Sequence, residues 1–191
     1  MRGTWFAGIL APVLGIVGQA EETGLGPTVG HLVTEPFHGL QLAVIDPAKA
    51  LSWAVWGEGS PANQSVHLAL FSVATDAPLW TDVKAEAYDP GFRLLTDWRQ
   101  ENRPMVAVTF RYGAAAAQIE LYGLDATDHP IRLDERLGAE IGWTIDTAGR
   151  TLLVIYSQQS GMLQPTCFGW DTGSGKLLPQ PCPSTRRPSF F

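Results

Sequence analysis

Short apolar runs separated by turn residues recur along most of this chain, and inside the runs apolar and polar positions alternate. A period of two is what a strand with one buried face requires, because successive side chains point to opposite sides. The pattern predicts strands at Leu40–Ile45, Leu51–Trp56, Val66–Val73, Val106–Tyr112, Gln118–Leu124, Thr151–Tyr156 and Cys167–Trp170, with an edge strand at His31–Thr34. The breaks carry turn chemistry: Asp46-Pro47, Gly59-Ser60-Pro61, Asp89-Pro90-Gly91, Gly149 and Gly173-Ser174-Gly175. The charged stretches Thr81–Glu86 and Arg132–Glu140 read as helical turns. Ala114–Ala117 has helix propensity but lies between two strands and reads as a hairpin connection. Pro179–Phe191 holds four prolines, which cannot donate to a ladder, and reads as a tail rather than a strand.

The runs form three units. In each, a strand ends in an aromatic, a short connection follows, and a second strand carries another aromatic. The first column is Trp56, Phe110 and Tyr156; the second is Phe71, Tyr122 and Trp170. Their spacings are 54 and 46, then 51 and 48. Val66-His67-Leu68-Ala69-Leu70-Phe71 matches Ala117-Gln118-Ile119-Glu120-Leu121-Tyr122, and Pro78-Leu79-Trp80, Pro130-Ile131-Arg132 and Lys176-Leu177-Leu178 take similar places further on. A period near fifty with three or four strands per unit is the pattern of propeller blades. The fold class predicted is therefore all-β: three repeated antiparallel blade-like sheets of three to four strands, partly propeller-like, over 38–180.

The third unit carries a more specific likeness. Its turn Asp146-Thr147-Ala148-Gly149 before Thr151–Val154, and the Trp170-Asp171 pair closing the next strand, resemble a WD-repeat or related β-propeller blade. The resemblance covers this unit well and the other two loosely, since Phe71-Ser72 and Tyr122-Gly123 stand where Trp170-Asp171 does. Three blades are too few to close a ring. Two chains forming a six-bladed homodimer would solve that; a sandwich or barrel with different pairing is the alternative.

The first twenty residues have another character. Arg2 precedes an uncharged apolar run from Trp5 to Val17, and Gly18-Gln19-Ala20 sets small residues before the acidic Glu21-Glu22. This is the layout of a signal peptide cleaved between Ala20 and Glu21. The run is too short for a bilayer anchor and is interrupted by Pro12 and Gly15. The divisions expected are a leader at 1–20, an entry segment at 21–37, the β-repeat domain at 38–180 and a Pro-rich tail at 181–191. Localisation is then secreted or periplasmic, with no membrane span once the leader is gone. In that setting Cys167 and Cys182 are expected to form a disulfide.

Composition narrows the partners. At 45% hydrophobic and 17% charged, the chain is suited to a packed core. Losing Arg2 with the leader takes the 13 basic residues to 12 against 19 acidic ones, a net charge of −7. That sign repels phosphate backbones and argues against nucleic acid.

Catalytic chemistry does not show. No G-x-S-x-G elbow, phosphate loop or dinucleotide fingerprint is present. His31, His38, His67 and His129 lack metal-ligand spacing, and two cysteines alone make no zinc site. Asp125, Asp128, Asp134 and Glu135 are the densest acidic group and invite a Ca²⁺ test, though not in an EF-hand pattern. No cofactor or metal is expected and catalytic residues stay unassigned. The primary expectation is an exported, non-enzymatic module binding protein or a small ligand. A glycoside or ester hydrolase using loop carboxylates is the alternative. A pocket holding two or more of Asp125, Asp128, Asp134, Glu58 and Glu86 at raised pKa would favour it. An envelope-maintenance protein is a third reading.

Overall fold

The computed structural model describes residues 37–60, 62–72, 78–113, 116–183 and 189–190. The expected leader, its Ala20/Glu21 cleavage point and the expected strand at 31–34 lie outside these residues. Three antiparallel sheets follow one another along the chain. The first holds β1 (Phe37–Asp46), β2 (Leu51–Ser60), β3 (Asn63–Ser72) and β4 (Pro78–Ala85). The second holds β5 (Tyr88–Gln100), β6 (Arg103–Tyr112), β7 (Ala116–Leu124) and β8 (Pro130–Gly138). The third holds β9 (Glu140–Ile145), β10 (Thr151–Gln159), β11 (Met162–Asp171) and β12 (Lys176–Gln180). Within each sheet chain order is spatial order, and β13 (Ser189–Phe190) adds a fifth strand on the β9 edge. The architecture is all-β, with blade-like sheets stacked in an open, partly propeller-like array. No helix of the described residues is long and apolar enough to cross a membrane.

Aspartates close several hairpins by accepting backbone N–H groups, the usual role of a short carboxylate in a turn. Asp46 accepts from Ala48 and Lys49, and Asp146 from Ala148 and Arg150. These two sit at the same hairpin, between the first and second strands of their blades. Asp125 accepts from Thr127 and His129, and Asp171 from Ser174. These two share the hairpin between third and fourth strands. The Asp of Trp170-Asp171 is thus a turn-closing residue.

Each sheet has a leading face, toward the sheet before it, and a trailing face, toward the next. The trailing face of the first sheet gives Trp53, Val55, Leu68 and Leu70 to one core, and the leading face of the second gives Phe92, Val106, Val108, Phe110 and Tyr122. A second core joins Leu95, Met105, Ile119 and Leu121 to Ile141, Trp143, Leu153 and Ile155 of the third sheet. Aromatic trios mark both junctions. Trp53, Trp80 and Tyr122 have centroids 5.5–5.7 Å apart. Trp98 lies 5.5 Å from Trp143 and 6.3 Å from Trp170. Trp53 and Trp56, an odd number of residues apart, point to opposite faces: Trp53 is in the first core, Trp56 on the outward leading face with Ala54, Ala69 and Phe71.

The repeat survives with one correction. Phe71, Tyr122 and Trp170 all lie on leading faces. Pro78, Pro130 and Lys176 all begin fourth strands. Trp56 pairs with His67, four residues before Phe71, and Phe110 with Gln118, four before Tyr122. In the third sheet the residue four before Trp170 is Thr166, and its partner is Ile155. The first column is therefore Trp56, Phe110 and Ile155. Tyr156 is one position off and packs on the opposite face with Leu152, Val154 and Cys167, because a one-residue slip reverses every side chain.

Three more expectations are corrected. The stretches 81–86 and 132–140 fall largely in β4 and β8. In β4 the charged Asp82 and Lys84 are half-buried and Lys84 meets Glu120, while Thr81, Val83 and Ala85 are exposed. In β8 Arg132 and Glu135 are exposed while Asp134 and Arg136 are half-buried. Pro179 lies inside β12, where an edge strand tolerates a residue without an N–H. The tail supplies β13, opposite Trp143 and Gly142. The expected disulfide is present: Cys167 and Cys182 are bonded, with Cα atoms 5.2 Å apart.

Candidate functional site

A cleft of about 270 Å³ opens between the second and third sheets. β5 brings Asp89 to it, β6 Thr109 and Arg111, β7 Ala117, and β9 Glu140 and Ile141. On β6, Val106, Val108 and Phe110 serve the first core, so Thr109 and Arg111 on the alternate face meet the third sheet. Asp89 reaches the cleft through a bulge. The β5–β6 register shifts between Tyr88 and Gly91, and Asp89 takes φ +57° there, the type of local bend that re-aims a side chain. Gly138 sets the start of β9. A Cβ on it would stand 2.7 Å from Ile155 Cγ2 and 3.0 Å from the Tyr156 carbonyl oxygen. The adjacent Ala139 N–H donates to that oxygen at 2.7 Å, which fixes where Glu140 begins.

The polar groups of this cleft are poorly matched among themselves. Thr109 is 6% exposed, and its hydroxyl has no hydrogen-bond partner among the described residues. A buried hydroxyl left so costs about 1–3 kcal/mol. Arg111 Nε lies 3.7 Å from Asp89 Oδ2, and the Asp89 side chain is 70% exposed, so this is a loose pair of small energetic weight. No cation of the described residues pairs with Glu140. Ala117 and Ile141 supply buried aliphatic walls.

A second cleft, about 110 Å³, lies at the same junction beside Trp98 and Trp170. Its two indoles, Asp97 and the Thr151 backbone are engaged. Trp98 Nε1 donates to the Thr151 carbonyl at 3.1 Å, the Thr151 N–H to Asp97 at 2.9 Å, and Trp170 Nε1 to the Arg99 carbonyl at 3.0 Å. This lock joins two blades and leaves little for a ligand. A third, about 50 Å³, lies around the disulfide on the outward face of the third sheet.

The first sheet carries a Ser–His–Glu group on its outward face. Ser65 Oγ is 2.7 Å from His67 Nε2, and Glu58 Oε2 is 3.4 Å from the same nitrogen. Trp56 stacks on the His67 ring and donates to Glu58 at 2.8 Å. A catalytic relay uses both ring nitrogens, one toward the serine and one toward the carboxylate. Here Ser65 and Glu58 share Nε2, so the carboxylate cannot orient the imidazole toward the hydroxyl. Burial holds the imidazole below its ordinary pKa, with Glu58 offsetting part of the effect.

The acidic residues singled out in the sequence are otherwise occupied. Asp125 closes its turn, and those hydrogen bonds, led by the His129 N–H, lower its pKa. Asp128 pairs with Lys49 at 2.7 Å and Arg103 at 2.5 Å, and is lowered first by Lys49. Asp134 pairs with Arg136, and Glu135 with Arg132. Glu58 belongs to the Trp56–His67 group, and neither it nor Asp125, Asp128, Asp134 or Glu86 lines the three clefts. Among the described residues no three His, Cys, Asp or Glu side chains gather as a metal site would need.

Sequence reasoning singled out none of the cleft's polar residues. Asp89 read as a turn and Glu140 as the end of a helical turn, while Thr109 and Arg111 lay inside a predicted strand. The signal available was alternation: two polar residues on a strand face that a neighbouring blade must cover. No protein-family model, curated protein or solved structure matches this chain.

Proposed function

We propose that this chain is an exported, non-enzymatic binding module, and that the cleft between its second and third blades receives a small ligand. The observation that carries the reading is the Thr109 hydroxyl, buried at that cleft without a partner among the described residues, beside an Arg, two carboxylates and an aliphatic wall. Sites of this kind are concave, partly apolar, and hold a few polar groups that orient a ligand. The Cys167–Cys182 disulfide supports an oxidising compartment. The Trp170-Asp171 pair supports kinship with WD-type blades, since Trp170 packs between blades and Asp171 closes the following hairpin. None of the three clefts of the described residues holds two of the carboxylates named for the hydrolase alternative. The test is a panel of sugars, amino acids, amines and short peptides, read as amide shifts in the labelled mature protein. Saturable shifts confined to β6, β9 and the start of β5 are expected. A panel that moves none of these residues defeats the reading.

Pairing with a second copy is supported by a separate observation. Leu42, Val44 and Val83 are exposed on the outward face of the first sheet, and Leu163 and Leu178 on that of the third. One is a leading face and the other a trailing face, the combination that packs at both internal junctions.

A further inference from the structure

We propose that the cleft between the second and third blades selects a primary ammonium on a short aliphatic chain. The inference deepens the binding reading above and rests on it.

Three properties of the lining lead to this chemistry. Its titratable groups are Asp89, Arg111 and Glu140, a balance of one negative charge. Arg111 and Asp89, 3.7 Å apart, are opposite in sign and form a loose pair. The remaining charge is the Glu140 carboxylate, which no described cation neutralises. An anionic ligand would meet this charge within a chain whose net charge is already negative. Next, Thr109 lines the cleft with a buried hydroxyl that has no partner among the described residues. A primary ammonium has three N–H donors and no acceptor, so one group can satisfy the Glu140 carboxylate and the Thr109 hydroxyl together. Finally, Ala117 and Ile141, 6% and 5% exposed, give an apolar wall suited to methylene groups. Both a free alkylamine and the lysine side chain of a peptide present this chemistry.

The test titrates the labelled mature protein with n-butylammonium chloride and with an Nα-acetyl-lysine amide, using n-butanol and methyl glucoside as controls. Both cations are expected to shift the amides of Thr109, Arg111, Glu140 and Ile141 saturably, and butanol is not. Tighter binding of the lysine amide places the source in a peptide; tighter binding of butylammonium places it in a free amine. Glu140→Gln should weaken either by about tenfold, the scale of one charge-assisted hydrogen bond. Thr109→Val should weaken binding a few-fold while leaving the melting temperature equal or higher, because removing an unpartnered buried hydroxyl relieves a cost. A lower melting temperature in Thr109→Val would mean the hydroxyl already has a structural partner or water, and would overturn the proposal. So would an absence of shifts with both cations, or unchanged affinity in Glu140→Gln. Methyl glucoside shifting these residues where the cations do not would discard the ammonium and keep the cleft as a ligand site. Silence from every probe and from the wider panel would discard both.

Discussion

Glu120 shows how one residue can join two blades. It is 1% exposed on the leading face of β7, and it accepts from Lys84 at 2.8 Å, Arg132 at 2.9 Å, Tyr122 at 2.5 Å and Gln118 at 3.1 Å. Lys84 comes from β4 of the first sheet and is also held by Asp82 at 2.7 Å. Burial alone would lower the Lys84 pKa, but Asp82 and Glu120 outweigh it and raise it. Tyr122 is pushed up by burial and by donation to Glu120. Glu120→Ala leaves Lys84 and Tyr122 short of a buried acceptor, so a loss of about 3–5 kcal/mol is expected by urea unfolding. His67 behaves differently. Its folded pKa lies below its ordinary value, about 6.5, so the unfolded chain takes up a proton first as pH falls. Its contribution is intact above that value, declines through 6.5, and is fully lost once pH passes below the folded value. Melting temperature from pH 8 to 5 should fall less steeply in His67→Phe than in the parent; equal slopes would remove this assignment.

At the level of strands, alternation revealed the central pair of each blade and missed much of what flanks it. β2, β3, β6, β7 and β10 are buried on both faces or nearly so, and their dense apolar runs are conspicuous. β4 and β8 are edge strands whose Lys84 and Arg132 both pair with Glu120 of β7, and the charge they carry for such pairs imitates a helix. β5 was hidden because its 13 residues include Pro90 and Gly91 and two register shifts. The same bulge puts Asp89 at the cleft, so the irregularity that concealed the strand also builds the site. The pairing of the cysteines was legible from their number and from the compartment the sequence led one to expect. The bond ties β11 to the chain just past β12, and replacing both residues by Ala should cost about 3 kcal/mol for a 15-residue loop. Urea unfolding with and without reductant measures it, and the double variant should be insensitive to reductant.

Across the whole molecule, packing is sequential: first blade on second, second on third. Such an array has two unlike end faces, each with exposed apolar side chains beside a buried centre. A two-fold axis through two copies would match each end with its complement and close six blades. Sedimentation equilibrium of the chain lacking residues 1–20 is expected to give twice the monomer mass. Val83→Glu with Leu178→Glu should return it to a monomer with an unchanged β-sheet spectrum. A monomer at tens of micromolar in the parent chain would rule the ring out. The repeat period announced three sheets, but closure depends on end faces that no single unit encodes.

The short β13 on the rim of β9 has a consequence for solubility. It occupies backbone donors and acceptors that would otherwise template another chain. A version truncated after Pro183 keeps its cysteines yet bares that rim, and thioflavin fluorescence should report fibrils growing from it sooner than from the intact protein.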